Sequence, residues 1–334
     1  MKKFKKINQV FIKSNNTTNK IFNRYLYSLI PFILLLVVYN LIWGEISLII
    51  NLIKSLILSL VTCIITQISF NIIKKEELKK NIFENNNLTI SIILGLFSIN
   101  SSIITIIISS VISLIIKNIY KNITISSSLY GILIILISNH YIYNIDSPLI
   151  NLSKESYIGT FTNILKPYGS IIEYIIGLPN YLSPILSIII FIYLFHKKSI
   201  KYNIVLSYIL TFSFTMLIVG LFNNMNLWHL FFQLTTGNIL FLSIFGLSDY
   251  PITPTTGEGQ VIYGIILGLI TTILRFIIPE LSVIIPLIIG PLVLTKQLNK
   301  ISYKLKYEKN YYYKTIAVNI FITLITTIII TKLI

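Results

Sequence analysis

Charge is scarce in this chain. Only 11% of its 334 residues are Asp, Glu, Lys or Arg, less than half of the share near 25% that soluble domains carry. That excludes an ordinary water-soluble globule. Cysteine is almost missing: Cys63 stands alone, which excludes an internal disulfide and a thiolate-held metal cluster. Alanine occurs once, at Ala317, while Ile, Asn, Lys and Leu dominate. Asparagine runs such as Asn85-Asn86-Asn87 therefore carry little functional information. Carboxylates are missing from the middle of every apolar run; Glu45, Asp249 and Glu280 stand at run ends. A charge at a bilayer centre costs at least ~2.5–3.5 kcal/mol and persists there only for use, so no ion-binding carboxylate is evident. His140, His196 and His229 lie far apart near run ends; they form no metal or haem set.

What is abundant is apolar sequence. Runs of about fifteen residues or more recur from Leu26 to Ile334, and mean hydropathy is +0.82. This predicts an all-α polytopic membrane protein with about ten or eleven transmembrane helices. Spans are expected near 25–43, 55–73, 88–99, 101–117, 126–140, 181–196, 202–222, 227–247, 261–278, 281–296 and 311–334. The first 24 residues are too polar for a signal peptide. Placing the N-terminus in the cytoplasm puts 22 of the 27 Lys and Arg residues in inner segments, the asymmetry that sets orientation in a cell membrane. The net charge of +16 thus reads as topology, with no role for nucleic acid. Lys54 and Arg275 fall near outer span ends, where a snorkelling anchor is the expected role.

Five spans precede the long segment 141–180 and five follow it, so the halves run in opposite directions, a 5+5 inverted repeat. The third span of each half is short or broken. Leu88–Ile99 ends in Asn100-Ser101-Ser102, and Leu227–Leu247 is interrupted by Thr235-Thr236-Gly237-Asn238. Broken backbone at membrane depth must line protein or a cavity. The chain therefore divides into a cytoplasmic N-terminal segment 1–24, a first repeat 25–140, an outer loop 141–180, a second repeat 181–296, and a basic inner loop with a C-terminal span 297–334. The most unusual string is Ser248-Asp249-Tyr250-Pro251-Ile252-Thr253-Pro254-Thr255-Thr256-Gly257-Glu258-Gly259-Gln260. It cannot be regular helix throughout. It reads as a tight turn, or as hydroxyls and backbone N–H groups offered to a phosphate or a polar ring.

That string resembles a family motif of the form D-x-x-x-[TS]-P-x-T-x-x-G. Asp249, Thr253-Pro254, Thr256, Gly259, Ile262 and Gly264 keep its spacing, and Leu274-Arg275 and Pro279-Glu280 follow. Phe11-Ile12-Lys13-Ser14 with Thr17-Thr18, Leu94-Gly95-Leu96-Phe97, and Ser126-Ser127-Ser128-Leu129-Tyr130-Gly131 resemble further family segments in the same order. The chain thus resembles the RnfD component of the Rnf electron-transport complex and the related NqrB component of the sodium-pumping NADH:quinone oxidoreductase, the RnfD/NqrB family, as a divergent member. The resemblance implies a ten-span inverted-repeat subunit in an ion-translocating electron-transfer complex, with other membrane and peripheral subunits as partners. It also implies an FMN joined through its phosphate to a threonine of the outer loop, an electron relay that drives Na⁺ or H⁺ across the membrane.

The cofactor-binding residues so implied are Gly159, Thr160 and Thr162 in the outer loop and Asp249, Thr253 and Thr256 in the inner one. The family's acceptor threonine stands two residues after a glycine. Here that position holds Phe161, which has no hydroxyl, with Thr160 one residue early and Thr162 one late. Gly257, Glu258 and Gln260 also replace the family's proline, lysine and arginine. Two other readings stay open beside the redox subunit: a flavin-free small-solute channel on the same fold, which needs no buried carboxylate, and a membrane scaffold for partner subunits.

Overall fold

The computed structural model describes residues 18–42, 44–75, 83–120, 123–139, 182–222, 227–247, 249, 252–279 and 281–307, and the regular structure among them is helical. The first half contributes α1 (Thr18–Ile42), α2 (Ile46–Ile73), α3 (Asn85–Phe97), α4 (Ile103–Ile119) and α5 (Ser127–Ile137). The second contributes α6 (Pro184–His196), α7 (Tyr202–Phe222), α8 (Leu227–Thr235), α9 (Ile239–Phe245), α10 (Gly257–Ile277) and α11 (Ile284–Tyr307). Ile-rich runs are mediocre helix formers in water. In hydrocarbon, however, every backbone group must be paired within the segment, which leaves the helix as the solution for such a run. By length and composition α1, α2, α7 and α10 suffice to cross a membrane, and the chain is an all-α multi-pass membrane protein.

The two halves pack alike. In the first, α2 lies on α3 and α4, α4 on α5, and α1 on α3; in the second, α7 lies on α8, α9 and α10, α10 on α11, and α6 on α9. Taking α8 and α9 together as one broken third element, these pairings correspond, and the first half adds closer packing of α1 on α2 and of α3 on α4 and α5. Between halves, α1 packs on α6 and α5 on α11, first on first and fifth on fifth, as a pseudo-two-fold axis requires.

Small and hydroxyl-bearing residues make these interfaces, since lipid supplies no hydrophobic drive between helices. Thr62 Oγ1 and Ser110 Oγ meet at 2.6 Å between α2 and α4. Thr215 Oγ1 and Thr272 Oγ1 meet at 2.8 Å between α7 and α10, the corresponding pair. Ser55 Oγ donates to Gly95 O of α3 at 2.8 Å. Tyr208 and Thr271 hydroxyls lie 3.1 Å apart.

Two boundaries differ from the sequence expectation by nine residues or more. Helix α2 begins at Ile46 instead of 55, because a single exposed lysine, Lys54, interrupts the apolar run without interrupting the helix. Helix α11 continues to Tyr307, so 297–307 is helix where a basic inner loop was expected; its Lys, Leu and Gln residues are good helix formers, with no Gly or Pro to stop them. The short third elements are present: α3 has 13 residues, and α8 and α9 have 9 and 7. The expected span 311–334 and the outer loop 141–180 lie outside the described residues.

Between the halves sits a cluster of aromatic rings. Phe241 of α9 packs edge-on against Phe32 of α1, at 5.1 Å between centroids, and against Phe97 of α3 at 5.7 Å. Phe245 stacks on Phe241 at 4.5 Å, and Tyr25 reaches Phe245 at 5.7 Å. The space between the halves is filled at this level with close-packed rings.

Candidate functional site

The helix break between α8 and α9 is built around one cation. Gly237 and Asn238 take left-handed backbone angles, φ +70° and +56°, which turns the chain without a strand or a long loop. A Cβ on Gly237 would overlap Arg275 Nη1, so glycine is required there by contact as well as by φ. Arg275 of α10 is 2% exposed. Its Nε donates to Gln233 Oε1 at 2.9 Å, and Nη2 donates to Gln233 O, Thr236 O and Thr236 Oγ1 at 3.3, 2.9 and 3.2 Å. Nη1 donates to Pro279 O at 3.3 Å and Ser282 Oγ at 3.2 Å. Each guanidinium nitrogen thus serves the chain itself. The cation lies over carbonyls at the C-terminal end of α8, where the helix dipole is negative. This corrects the expectation of a snorkelling anchor: Arg275 is an internal staple joining α8, α10 and the turn before α11. His229 is buried one turn before Gln233, its Nε2 at 3.4 Å from Gln233 Nε2.

The first half has a counterpart. Lys117 stands two residues before the end of α4, as Arg275 does before the end of α10. Its Nζ donates to Glu84 Oε2 at 2.8 Å and Asn87 Oδ1 at 2.5 Å, at the start of α3. Each fourth helix therefore ends in a basic residue bound to its third element. The turn after Lys117 contacts the loop before α10 through Asp249, so the two cations lie at opposite ends of the bundle.

At the Lys117 end, polar contacts tie the loops together. Arg24 Nη1 donates to Lys197 O at 2.7 Å and Ser199 Oγ at 2.9 Å, and Tyr25 Oη donates to Ser199 O at 3.2 Å. Asp249 is 6% exposed. Its Oδ2 accepts from Thr124 N, Ser126 N and Ser126 Oγ at 3.0, 3.1 and 2.7 Å, while Oδ1 accepts from the Thr124 hydroxyl. A carboxylate from the second half thereby caps the N-terminus of α5 in the first. Thr253 Oγ1 donates to Asp249 O at 2.8 Å. Lys201 Nζ donates to Thr253 Oγ1, Thr253 O and Pro254 O at 2.7, 3.2 and 3.3 Å. Burial pushes the Lys201 ammonium down to about 8, against a smaller upward pull from Asp249. Thr256 Oγ1 accepts from Gly259 N at 3.2 Å as the N-cap of α10, and Thr255 N donates to Asn299 Oδ1 of α11 at 3.1 Å.

A cleft of about 440 Å³ opens beside this loop, between α5 and α11. Its wall is mainly apolar, with Ile123, Leu129, Ile252 and Leu287 among the lining groups and Tyr120 and Tyr130 supplying aromatic surface.

Of the residues singled out in the sequence, the structure brings Asp249 and Thr253 together and sets Thr256 at the start of α10. All three are engaged in holding the loop, and the hydroxyl and carboxylate groups of Asp249 and Thr253 are buried. That arrangement does not fit a flavin phosphate at 249–256, since the groups that would bind it serve the protein. Gly159, Thr160 and Thr162 lie outside the described residues. Among the described residues no three His, Cys, Asp or Glu side chains converge as a metal set. Sequence reasoning missed Lys201, Thr124 and the internal role of Arg275. The available signal was the polar string Gln233-x-x-Thr236-Gly237-Asn238 that precedes an arginine in the next span.

A family description, NQR2, RnfD, RnfE, matches residues 6–282. Among curated proteins, the component designated D of the Na⁺-translocating ferredoxin:NAD⁺ oxidoreductase complex of Acetobacterium woodii is 31% identical over 123 residues. That match covers 37% of this chain and 34% of the relative's own length. With a match that takes in both halves, the broken third element, the Asp249 loop and the Arg275 staple, the chain belongs to the NQR2, RnfD, RnfE family.

Proposed function

We propose that the chain is a membrane subunit of an Rnf-type complex, which couples electron transfer through flavin to translocation of Na⁺ or H⁺. The observation that carries this reading is the family match across 6–282, on a bundle whose two halves pack by the same pairings. The lysine-rich end faces the cytoplasm in this reading, and the loop 141–180 faces outward. Thr160 or Thr162 would hold an FMN through its phosphate, and the flavin would supply one-electron relay chemistry between partner subunits. NAD and iron–sulfur chemistry belong to those partners, since this chain has one cysteine. The chain's own residues supply a rigid frame: Arg275 fixes the broken third element, Asp249 locks the halves together through Thr124 and Ser126, and Lys201 holds the 253–254 turn beside it. The close-packed rings of Phe32, Phe97, Phe241 and Phe245 between the halves favour this reading over a solute channel through the same space.

In-gel flavin fluorescence tests the cofactor. The protein, co-expressed with a flavin transferase, is denatured and run beside Thr160→Val and Thr162→Val. A fluorescent band lost in one variant identifies the acceptor. A dark band, with the transferase active on another target, removes covalent FMN from the proposal.

A further inference from the structure

We propose that the exposed face of α2 docks a transmembrane helix of a neighbouring subunit, and that this helix carries an Asp or Glu in the outer half of the bilayer to pair with Lys54. The inference rests on the proposed place of the chain in a multi-subunit complex and adds where one neighbour sits and what it must present. Depth is the first observation. Helix α2 runs from Ile46 to Ile73, so its midpoint falls between Ser59 and Leu60. Lys54 therefore stands about 8 Å from the midpoint along the axis, inside the ~15 Å half-thickness of the hydrocarbon. Two other cations within the helices are bonded inside the chain: Lys117 to Glu84 and Asn87, and Arg275 to Gln233, Thr236 and the turn before α11. Lys54 differs. It is exposed, and no described residue forms a hydrogen bond or ion pair with it. Ionisable side chains at membrane depth nearly always face protein or water and find a partner, so this lysine marks a face that protein covers.

The surface around Lys54 suits a helix. Ile46, Ile50, Ile53, Ile57, Val61 and Ile65 form one stripe at three- and four-residue spacing and are 45–63% exposed. All six are β-branched and stiff at χ1, so they lose little rotamer freedom when packed. Among the described residues α2 is also the least covered of the four helices long enough to span. Its most apolar stretch is 22% buried, against 50% for α7, which holds the same place in the second half. Charge selects the occupant. None of the chain's 11 Asp and Glu residues stands in the middle of an apolar run, and the run 311–334 has none at all. Neither a second copy nor the remaining span of this chain can present a carboxylate at the depth of Lys54. Lipid phosphates lie outside the hydrocarbon. A helix of a different subunit, with its own acidic residue, meets the requirement.

Photo-crosslinking in native membranes tests this. The full chain, with p-benzoylphenylalanine in place of Ile50 or Ile57, is irradiated, and the adducts are mapped by mass spectrometry. Both probes are expected to join one helix of another membrane subunit, within a turn or so of an Asp or Glu. Lys54→Glu is expected to lower the yield of that adduct about tenfold, and changing the partner's acidic residue to Lys restores it. Lys54→Arg keeps the adduct. Because Lys54 is exposed, the thermal midpoint of the isolated chain in detergent is expected to stay the same in each variant; a fall would place the lysine's partner within this chain and contradict the interface.

Adducts to lipid alone, which a snorkelling lysine would give, overturn the proposal. So do adducts to 141–180 or 311–334 of this chain, and a partner adduct that Lys54→Glu leaves unchanged. The interface and the complex fail differently. If the unaltered chain purifies with no other subunit, the complex falls and the interface falls with it. If the complex purifies intact while the α2 probes mark only lipid, the interface alone falls.

Discussion

Arg275 and Lys201 make separate demands on single side chains. The guanidinium of Arg275 serves acceptors on three segments, Gln233, Thr236 and the Pro279–Ser282 turn. A lysine offers one nitrogen where three are used. Arg275→Lys is therefore expected to lose about 3 kcal/mol of stability through buried carbonyls left unpaired, read as a lower thermal midpoint in detergent. An unchanged midpoint would remove the staple. Lys201 is held down to about 8 by burial, with Asp249 pulling the other way. Between about pH 8 and the ordinary lysine range the folded chain binds fewer protons than the unfolded one, so this group's contribution to stability rises with pH across that window and is least below it. ¹³C-dimethyl-lysine NMR is expected to show one resonance titrating near pH 8, assigned by Lys201→Gln. Asp249→Asn is expected to move it lower still, because the opposing negative charge has gone; an upward move would contradict that pull. Neither role was legible from a residue's distance to a span end, which reports depth and says nothing about the acceptors waiting on neighbouring helices.

At the scale of helices, close approach decides. A Cβ at Gly264 would overlap Ser207 Oγ and meet Ile204 O at 2.6 Å. At Gly257, on the first turn of the same helix, it would meet only Asn203 Nδ2 at 3.6 Å. Gly264→Ala is expected to destabilise the α7–α10 pair by about 1–3 kcal/mol, while Gly257→Ala is expected to be neutral or mildly stabilising. Parallel thermal melts of the two variants check this, and equal effects would contradict the packing. The hydropathy pattern located most of these helices, and Thr235-Thr236-Gly237-Asn238 marked the break, because backbone that leaves the helix needs residues tolerant of left-handed angles. The pattern misplaced the start of α2 and the end of α11 because polarity ends an apolar run without ending a helix: Lys54 lies inside α2, and the polar residues from 297 to 307 lie inside α11. In the 249–256 loop, hydroxyl-rich sequence suggested an exposed phosphate cradle. The fold buries Thr253 and Asp249 and turns their polarity inward, and this depends on Lys201 and Thr124, which are distant in sequence.

For the whole molecule, the repeated pairings and the aromatic cluster bear on what passes through the chain. Phe32, Phe97, Phe241 and Phe245 close the space between the halves, so proteoliposomes containing the chain are expected to admit urea and methylammonium no faster than empty vesicles. Stopped-flow light scattering measures this, and a faster flux would restore the channel reading. The doubling of the fold was visible as two sets of five apolar runs, but the correspondence of Lys117 with Arg275 was not, since one binds a carboxylate and the other carbonyls and hydroxyls. The proposed place in an electron-transfer complex is tested most directly by purifying the tagged chain from its native membrane in mild detergent and identifying what elutes with it. The account predicts co-elution in fixed stoichiometry with the other subunits of an Rnf-type complex, as one flavin-containing assembly. Elution of the chain by itself under conditions that keep such a complex intact would contradict it.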